Sequence, residues 1–566
     1  MTESVGDAQS AAGSDIEGST ELVPVRGWSA RALSAFRADP GRWVSYFVVA
    51  LASVAFVYWF LGLKQWFVTD EFDYFGPPAG QSLISWLIEP RNQHSGVFVF
   101  GWFWFLENFM GLGLRHYQIF MIPVMVGHVV VVAAIYRLTW IASASRVIAT
   151  GTALAALVMG GGVGTLTLAG QMIFTCSVAA GLIVILLAIG GSGRRALVAL
   201  IALSVAGVLI GNAFDAFAFA AAVVYARRRL WPEAIWVAAI PIGWEVGARV
   251  LWPHASSNIY AATSLYQILR DGPPFAFAAL DLAISQTLGD THFTSALVMG
   301  LIVGTLALLS VGPRWHRTAS SGWVVAALAI AAILSMAALI EARLSYGIVI
   351  VSYGGYSYLF IVALLPIAGI LLGHIARSRA ALVGIAGVFI AIILIGKVTI
   401  ESNALALGAW KLNGANLMQT AAAELNAGMP TYPDQLPVPD TAPTVSQAQL
   451  HLWATTGQLD VVMGGPGQVD QVSLNMQWRV VTTDQAPGTC QSLSAGESFA
   501  VPVGSAPSIL GLQQGSAVNL AYDGSTAIRQ FKVATTNVVS LQTVSGRAAT
   551  VTVSAGSVRV CSPTPD

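Results

Sequence analysis

Long uncharged apolar runs, separated by short polar segments, dominate the pattern of this chain. The first run, residues 44–63, reads VSYFVVALASVAFVYWFLGL and is long enough to cross a bilayer as a helix. Further runs lie at 95–112, 118–136, 147–163, 171–190, 196–226, 233–250, 294–311, 322–340, 356–375 and 381–397. The pattern predicts a polytopic α-helical membrane protein, with eleven spans if 196–226 is one helix broken near Gly211-Asn212 and twelve if that run is split.

The arginines between the runs favour eleven spans. With that number the N-terminus and three basic loops fall on the cytoplasmic side, where positive charge accumulates. Those loops contain Arg227–Arg229, Arg314–Arg317 and Arg377–Arg379. The loops 64–93, 252–292 and 341–355, and everything after residue 397, then lie outside. The arrangement also leaves Arg137, Arg146, Arg194 and Arg195 in outside loops, against the same rule.

The two ends of the chain have a different pattern. Residues 1–43 are predicted to form a cytoplasmic N-terminus, disordered to about residue 25 and then basic and amphipathic. The membrane domain should cover 44–400. Residues 401–469 are predicted to be an extracytoplasmic helix followed by a Pro-rich linker. From 470 to 566, short Val-, Thr- and Leu-rich runs alternate with Gly, Ser and Asp turns, which predicts a β-sandwich-like all-β domain.

Composition agrees with a membrane protein. Apolar residues make up 55% of the chain, charged residues only 10%, and the mean hydropathy is +0.68. Basic and acidic residues balance at 28 each, so nothing indicates a nucleic-acid partner. Cys490 and Cys561 bracket much of the β-patterned region and are predicted to form a disulfide, which indicates a compartment outside the cytosol. Histidines are scattered without paired ligand spacing, so no metal site is predicted.

The strongest candidate for chemistry is an acidic cluster just after the first span, Asp70, Glu71 and Asp73. Polar groups placed at a membrane are usually functional. An extended backbone would point Glu71 and Asp73 to one side, whereas a helical backbone would pair Asp70 with Asp73. Either pair could provide a general base. The alternative is an ordinary solvated loop, which the aromatic residues flanking the cluster disfavour.

Substrate-binding candidates lie in other predicted outer segments. Arg91 and His94 precede the second run and could bind a phosphate, or merely cap a span. Arg343, Tyr346 and Tyr353 could hold a phosphate beside sugar hydroxyls, or form an aromatic belt with an arginine reaching the interface. His254, in the loop 252–292, is a weaker candidate.

This layout resembles the GT-C superfamily of membrane glycosyltransferases. The resemblance rests on a first span that ends in paired acids, Asp70-Glu71, on an outer loop with a surface helix, and on many later spans. It covers residues 44–400 in layout and few residues in motif. The β region also resembles the sugar-binding appendages of actinobacterial arabinosyltransferases.

The resemblance implies a multi-pass plasma-membrane enzyme of cell-wall biogenesis. Its donor would be a polyprenyl-phosphate sugar and its acceptor a cell-envelope glycan or glycolipid, with no cofactor and no metal. An acid of the cluster would activate the acceptor hydroxyl, and Arg343 or Arg91 would stabilise the leaving phosphate. Two other classes stay open, a transporter or flippase that uses the acids as proton or substrate sites, and a non-catalytic scaffold whose β domain binds a glycan.

Overall fold

A computed structural model describes residues 39–562 except for 78–79, 91–94, 192, 253–263, 290–292, 311–318, 353–354, 377, 484–488, 504–506 and 534–537. The predictions for residues 1–38 lie outside this described part. Arg42, the last arginine of the predicted basic segment, belongs to the first turn of helix Pro40–Leu61, where its Nε donates to Tyr46 Oη at 3.4 Å.

The membrane domain is helical, as predicted. Its α-helices are α1 Pro40–Leu61, α2 Leu83–Ile88, α3 Val97–Asn108, α4 Tyr117–Phe120, α5 Ile122–Ser143, α6 Arg146–Leu157, α7 Val163–Leu166, α8 Met172–Gly190, α9 Arg194–Ile210, α10 Ala213–Arg227, α11 Trp231–Leu251, α12 Leu265–Leu288, α13 Thr294–Ser310, α14 Ala319–Arg343, α15 Val349–Ser352 and α16 Gly355–Ile375. A further helix, α17, runs from Arg379 to Asn426. In the part of the chain that is described, seven helices are long and apolar enough to cross a membrane, or eight if the bent pair α6–α7 is one span.

The predicted span 95–112 is instead a short helix. Helix α3 has only 12 residues, or about 18 Å at 1.5 Å per residue, against a hydrocarbon core of roughly 30 Å. Just before it, the Ser95 amide donates to Asn212 Oδ1 at 3.0 Å. Soon after it, Leu114 O accepts a hydrogen bond from Trp66 Nε1 at 3.1 Å. The run reads as a span because it is apolar, but its helix is too short to be one.

The run 196–226 forms two helices rather than one. Helix α9 ends against the beginning of α8, where Gly211 O accepts from Ser177 Oγ at 3.1 Å. A Cβ on Gly211 would lie 2.3 Å from Ile173 Cγ1, so the turn needs glycine there. Helix α10 then returns along α8, and the Arg228 guanidinium donates to Ala188 O near the far end. The preference for a single helix in this run is therefore wrong, and the alternative split is correct.

One continuous helix replaces the two predicted pieces 381–397 and 403–427. Helix α17 has 48 residues, which corresponds to about 72 Å. This is more than twice the thickness of a hydrocarbon core, so its second half extends beyond the bilayer. Two shorter helices follow the Pro-rich linker, α18 Gln447–Thr455 and α19 Pro466–Gln477.

The C-terminal region is all-β from Trp478, as the pattern predicts, although the first residues of the predicted range 470–566 are helical up to Gln477 in α19. The strands are β1 Trp478–Thr483, β2 Thr489–Ser494, β3 Ser498–Val501, β4 Ser508–Gly511, β5 Ala517–Tyr522, β6 Arg529–Lys532, β7 Val538–Thr543, β8 Ala549–Ala555 and β9 Ser557–Ser562. They form two sheets, β1-β7-β4-β9-β2 and β3-β8-β5-β6, with antiparallel pairs. The inner faces share one apolar core around Trp478 and Tyr522. The predicted disulfide is present, and Cys490 faces Cys561 in the β2–β9 register.

Candidate functional site

The acidic cluster folds as a short 3₁₀ helix, Thr69–Tyr74, which we call the acidic turn. It follows extended backbone at Val68, and Glu71 Oε2 accepts the Val68 amide at 3.1 Å, which closes the first turn. A 3₁₀ helix has three residues per turn, so residues three apart lie on the same side. Asp70 and Asp73 therefore share a side. Of the two arrangements left open by the sequence, the helical one is correct.

An aromatic core holds the acidic turn in place. Phe67 is fully buried, with its ring centroid 5.1 Å from those of Phe75 and Phe120 and 4.7 Å from that of Tyr117. Each fully buried aromatic side chain contributes roughly 1.5–3 kcal/mol. The aromatic residues that flank the acids in sequence are thus the packing layer beneath them, and the turn is anchored rather than loosely solvated.

Glu71 is buried and forms the centre of a hydrogen-bond network. Its side chain is only 4% exposed. Oε1 accepts the Gly170 amide at 2.9 Å and the Tyr117 hydroxyl at 3.3 Å. Burial raises the pKa of Glu71, while the positive charge of Lys411 and the backbone N–H groups that it accepts oppose the rise. These contacts tie the acidic turn to the segment before α8.

Lys411 and Tyr117 complete this network and were not found from the sequence. The Tyr117 hydroxyl shares its single proton between Thr167 O at 2.8 Å and Glu71 Oε1 at 3.3 Å, and its oxygen accepts the Ala169 amide at 3.0 Å. Lys411, 1% exposed, also donates to Thr167 O. The only hint in the sequence was a lysine within the weakly charged helix α17. Only the fold shows that Lys411 lies near Glu71, 340 positions away in the chain.

Gly170 allows the close approach between the acidic turn and the segment before α8. A Cβ on Gly170 would lie 2.6 Å from Tyr74 Cε2, closer than such contacts occur. The small residue lets the backbone amide of Gly170 reach the buried Glu71 carboxylate. A larger residue at this position would separate the two segments.

Asp70, in contrast, is exposed to solvent. Desolvation by the surrounding protein, and then the negative charge of Asp73, raise the pKa of Asp70 above its ordinary value. The Asp70 side chain is thus accessible to solvent, although the surrounding protein removes part of its hydration. Because it is accessible, a substrate can reach it. A carboxylate with a raised pKa is a better proton acceptor than an ordinary surface acid.

The C-terminal part of the chain supports the acidic turn from the other side. The Thr69 amide donates to Thr441 O at 2.7 Å. The Trp453 ring lies 6.0 Å from the rings of both Phe72 and Phe75. The linker and α18 therefore pack directly against the turn, a contact that nothing in the local pattern indicates.

Arg343 and Tyr346 lie near the same segment as the acidic turn. Arg343 ends α14, and its Nε donates to Tyr356 Oη at 3.4 Å. The Tyr356 ring is 5.7 Å from that of Phe174, four residues after Gly170. Tyr346 is half-buried at the end of the 3₁₀ turn Leu344–Tyr346. Arg343 is thus linked to Phe174 through Tyr356, whereas the acidic turn contacts Gly170 directly.

Four predicted substrate-binding residues lie outside the described part of the chain. They are Arg91, His94, His254 and Tyr353. Their predicted roles stay predictions. Among the described residues, no group of three or more His, Cys, Asp or Glu side chains is arranged to hold a metal ion.

Glu107 is a further acid near this site. It lies on α3, which is too short to span the membrane, and is half-buried. Burial raises the pKa of Glu107 to about 7, and a hydrogen bond from the Gln458 side chain opposes the rise. Glu107 was not among the residues predicted from the sequence, although an acid within the apolar run 95–112 was the available signal.

Two clefts lie beside the network. One, of about 210 Å³, is bordered by Trp66 and Tyr117 and has mostly polar walls. The other, of about 350 Å³, has mostly small or apolar walls, such as Gly160 and Leu407, together with the amides of Gln286 and Asn403. Val163 and Gly164 line the second cleft and precede Thr167, whose carbonyl accepts from Tyr117 and Lys411. No protein-family model and no curated protein sequence matches this chain.

Proposed function

We propose that this chain is a membrane glycosyltransferase of the GT-C type. It moves a sugar from a polyprenyl-phosphate donor to a cell-envelope glycan or lipid on the extracytoplasmic face. The observation that carries the proposal is the acidic turn, in which Asp70 is accessible, shares a side with Asp73 and has a raised pKa. An anchored, partly desolvated carboxylate at the end of a span is suited to accept the proton of a sugar hydroxyl.

In the proposed reaction Asp70 accepts the proton of the acceptor hydroxyl. The hydroxyl oxygen then bonds to the anomeric carbon of the donor sugar, and the bond between that carbon and the phosphate oxygen breaks. The phosphate leaves with the bonding electrons, and Arg343 or Arg91 stabilises its charge. Asp73 raises the basicity of Asp70. Glu71 is a positioning residue in this proposal, because its oxygens are engaged with Val68, Gly170 and Tyr117.

The larger cleft supports a lipid-linked donor. Its walls are mostly small or apolar, with Ala406 and Leu407 on α17 and Trp410 beside them, and they also include the amides of Gln286 and Asn403. A polyprenyl chain needs an apolar surface that continues into the bilayer. The cleft adjoins the segment before Thr167, and the network at Thr167 leads to Glu71 and the acidic turn. This places an apolar site and the candidate base on connected parts of the structure.

The helix directions support an eleven-span topology with different members from those predicted. The seven long helices, the bent pair α6–α7 and the shorter α9, α10 and α13 bring the count to eleven in the described part of the chain. Helices α5 and α16 meet at one end, where a Cβ on Gly373 would lie 2.9 Å from Ser143 Cβ. The acidic turn lies at the opposite end of α5, beside Tyr117.

This topology also resolves the conflict between four arginines and the positive-inside rule. Arg137, Arg146, Arg194 and Arg195 now lie at the same membrane face as Arg227–Arg229 and Arg379, opposite the acidic turn, because α3 does not span and 196–226 spans twice. We propose that this face is cytoplasmic. The N-terminus is then cytoplasmic, and the disulfide-bonded β domain is extracytoplasmic.

Cysteine labelling tests this topology. We expect a cysteine at Ala144, between α5 and α6, to react with a membrane-impermeant maleimide only after the membrane is permeabilised. A cysteine at the exposed Thr455, the last residue of α18, should react in intact spheroplasts. Labelling of Ala144→Cys in intact spheroplasts would contradict the proposed topology. It would show that the loop between α5 and α6 lies outside, as the sequence alone predicts.

The transporter alternative loses its main structural hint. The Gly211-Asn212 break is a turn between two antiparallel helices and not an interruption within one span. The direct test is transfer of radiolabelled sugar from polyprenyl-phosphate donors in membranes that contain the full chain. Wild-type membranes should form labelled glycan or glycolipid, and membranes without the protein should not. Failure with a full panel of such donors would reject the proposed function.

The pH dependence of transfer tests the role of Asp73. The negative charge of Asp73 disfavours ionisation of Asp70 and so raises its pKa. Removing that charge by Asp73→Asn should lower the pKa of Asp70, so the base stays ionised to lower pH. We therefore expect the acid limb of kcat/KM to move to lower pH. Asp434→Asn, an exposed acid in the linker, serves as the control and should not move the limb.

A further inference from the structure

We propose that the smaller cleft is a binding site for one neutral sugar unit, and that, given the proposed function, this unit belongs to the acceptor glycan. We call it the amide cleft. Its volume is about 210 Å³, equivalent to roughly seven waters at about 30 Å³ each. That is the space of a single sugar ring rather than of a long chain. Its polar walls include Gln65, Gln118, Gln419, Gln458, Arg115 and Asp460.

Two glutamines in the wall of the amide cleft are held in place by the surrounding protein. Gln65 is 6% exposed, and its Nε2 donates to Ala404 O at 3.0 Å, which fixes the amide group. Its Oε1 is buried, and no donor among the described residues bonds to it. Gln458 Oε1 is in the same condition, while the other end of that amide bonds to Glu107. Both unpaired oxygens lie beneath the cleft surface, so the amides open to a ligand are those of Gln118, which is exposed, and Gln419, which is half-buried.

The charges of the cleft favour an uncharged ligand. Its cation and anion, Arg115 and Asp460, form an ion pair with each other, and both are about half exposed. The remaining polar groups are neutral amides, which both donate and accept hydrogen bonds. A phosphate or carboxylate would find no unpaired cation there, whereas the hydroxyls of a sugar match amide groups. Trp66 adds an aromatic wall suited to the apolar face of a sugar ring.

The amide cleft and the acidic turn share structural elements. The Trp66 ring is 5.7 Å from the ring of Phe72, which lies in the turn. Tyr117 lines the cleft and donates to Glu71 at 3.3 Å. A sugar unit in the cleft would thus contact Trp66, which packs against the acidic turn that contains Asp70. Such a remote contact aligns an acceptor without touching the reacting atoms, so its loss should raise KM more than it lowers kcat.

Acceptor kinetics and ligand binding together test this proposal. The variants are Gln419→Leu and Gln118→Leu, the second at an exposed position that should not affect folding. The control is Gln514→Leu, an exposed glutamine in the β domain. With disaccharide methyl glycosides as acceptors, each cleft variant should raise the acceptor KM by a few-fold to about tenfold, the effect of one lost hydrogen bond. The kcat and the donor KM should change less than about twofold.

Saturation-transfer NMR on the full chain in nanodiscs gives a readout that does not require catalysis. The probes are the methyl glycosides of mannose, glucose, galactose and arabinose. We expect at least one to receive saturation from wild-type protein and from Gln514→Leu, and to lose it with both cleft variants. If the wild type transfers no sugar but shows this binding pattern, the proposed function fails and the sugar site stands.

Two results would overturn the sugar site. The first is sugar transfer by the wild type with an acceptor KM that neither cleft variant changes, which leaves the proposed function intact. The second is the absence of saturation transfer to every methyl glycoside together with unchanged kinetics, which would mean that the cleft holds only water.

Discussion

Substitution of Asp70 by Asn should abolish sugar transfer while the protein still folds and inserts. Loss of a general base typically costs about 10²- to 10⁴-fold in rate. Asp70 is the accessible acid of the turn, and its raised pKa makes it the stronger candidate base. Stability should change by no more than about 0.5 kcal/mol, because an exposed side chain away from the core contributes little.

The measurement is transfer from a radiolabelled polyprenyl-phosphate sugar in membranes with equal amounts of wild-type or variant protein. Asp434→Asn provides the matched control, since it removes an exposed acid from the linker without touching the turn. Thermal unfolding of the purified variants verifies that the fold is intact. Near wild-type transfer by Asp70→Asn would exclude it as the base and remove the main support for the proposed reaction.

Substitution of Lys411 by Met should strongly destabilise the protein. Lys411 is almost fully buried and is the cation that opposes the burial cost of Glu71. Without this cation the burial cost of the Glu71 carboxylate is less compensated, a loss on the order of 1–3 kcal/mol for a buried polar group deprived of its partner. The melting temperature of the purified protein should fall by several degrees, and transfer should fall with it as the acidic turn loses its support.

The double variant Glu71→Gln/Lys411→Met distinguishes this charge effect from simple loss of packing. Removing both charges takes away the uncompensated carboxylate, so the double variant should be more stable than Lys411→Met alone. Glu71→Gln keeps the shape of the side chain and one acceptor oxygen for the Gly170 or Val68 amide. Additive losses of stability in the double variant would show that Glu71 and Lys411 do not interact.

Part of the fold and of the site follows from local pattern. Apolar runs specify membrane helices because hydrophobicity is a local property, and the Asp70-Glu71 position after the first run is visible directly. The Cys490–Cys561 disulfide and the all-β character of the C-terminal region were also predicted correctly. The length of an apolar run was a misleading guide to the number of spans in two places. The run 95–112 breaks after a helix of 12 residues, and 196–226 folds back at Gly211.

The roles of the acids depend on contacts between distant segments, and tertiary structure alone decided them. The sequence determined that three carboxylates lie together at the end of a span. Only the fold showed that Glu71 is buried against Gly170 and Tyr117, 99 and 46 positions away, while Asp70 faces solvent. The support of the turn by Thr441 and Trp453 is likewise set by packing. Such contacts produce no regular spacing of residue types along the sequence, because they depend on which surfaces meet after the helices have formed.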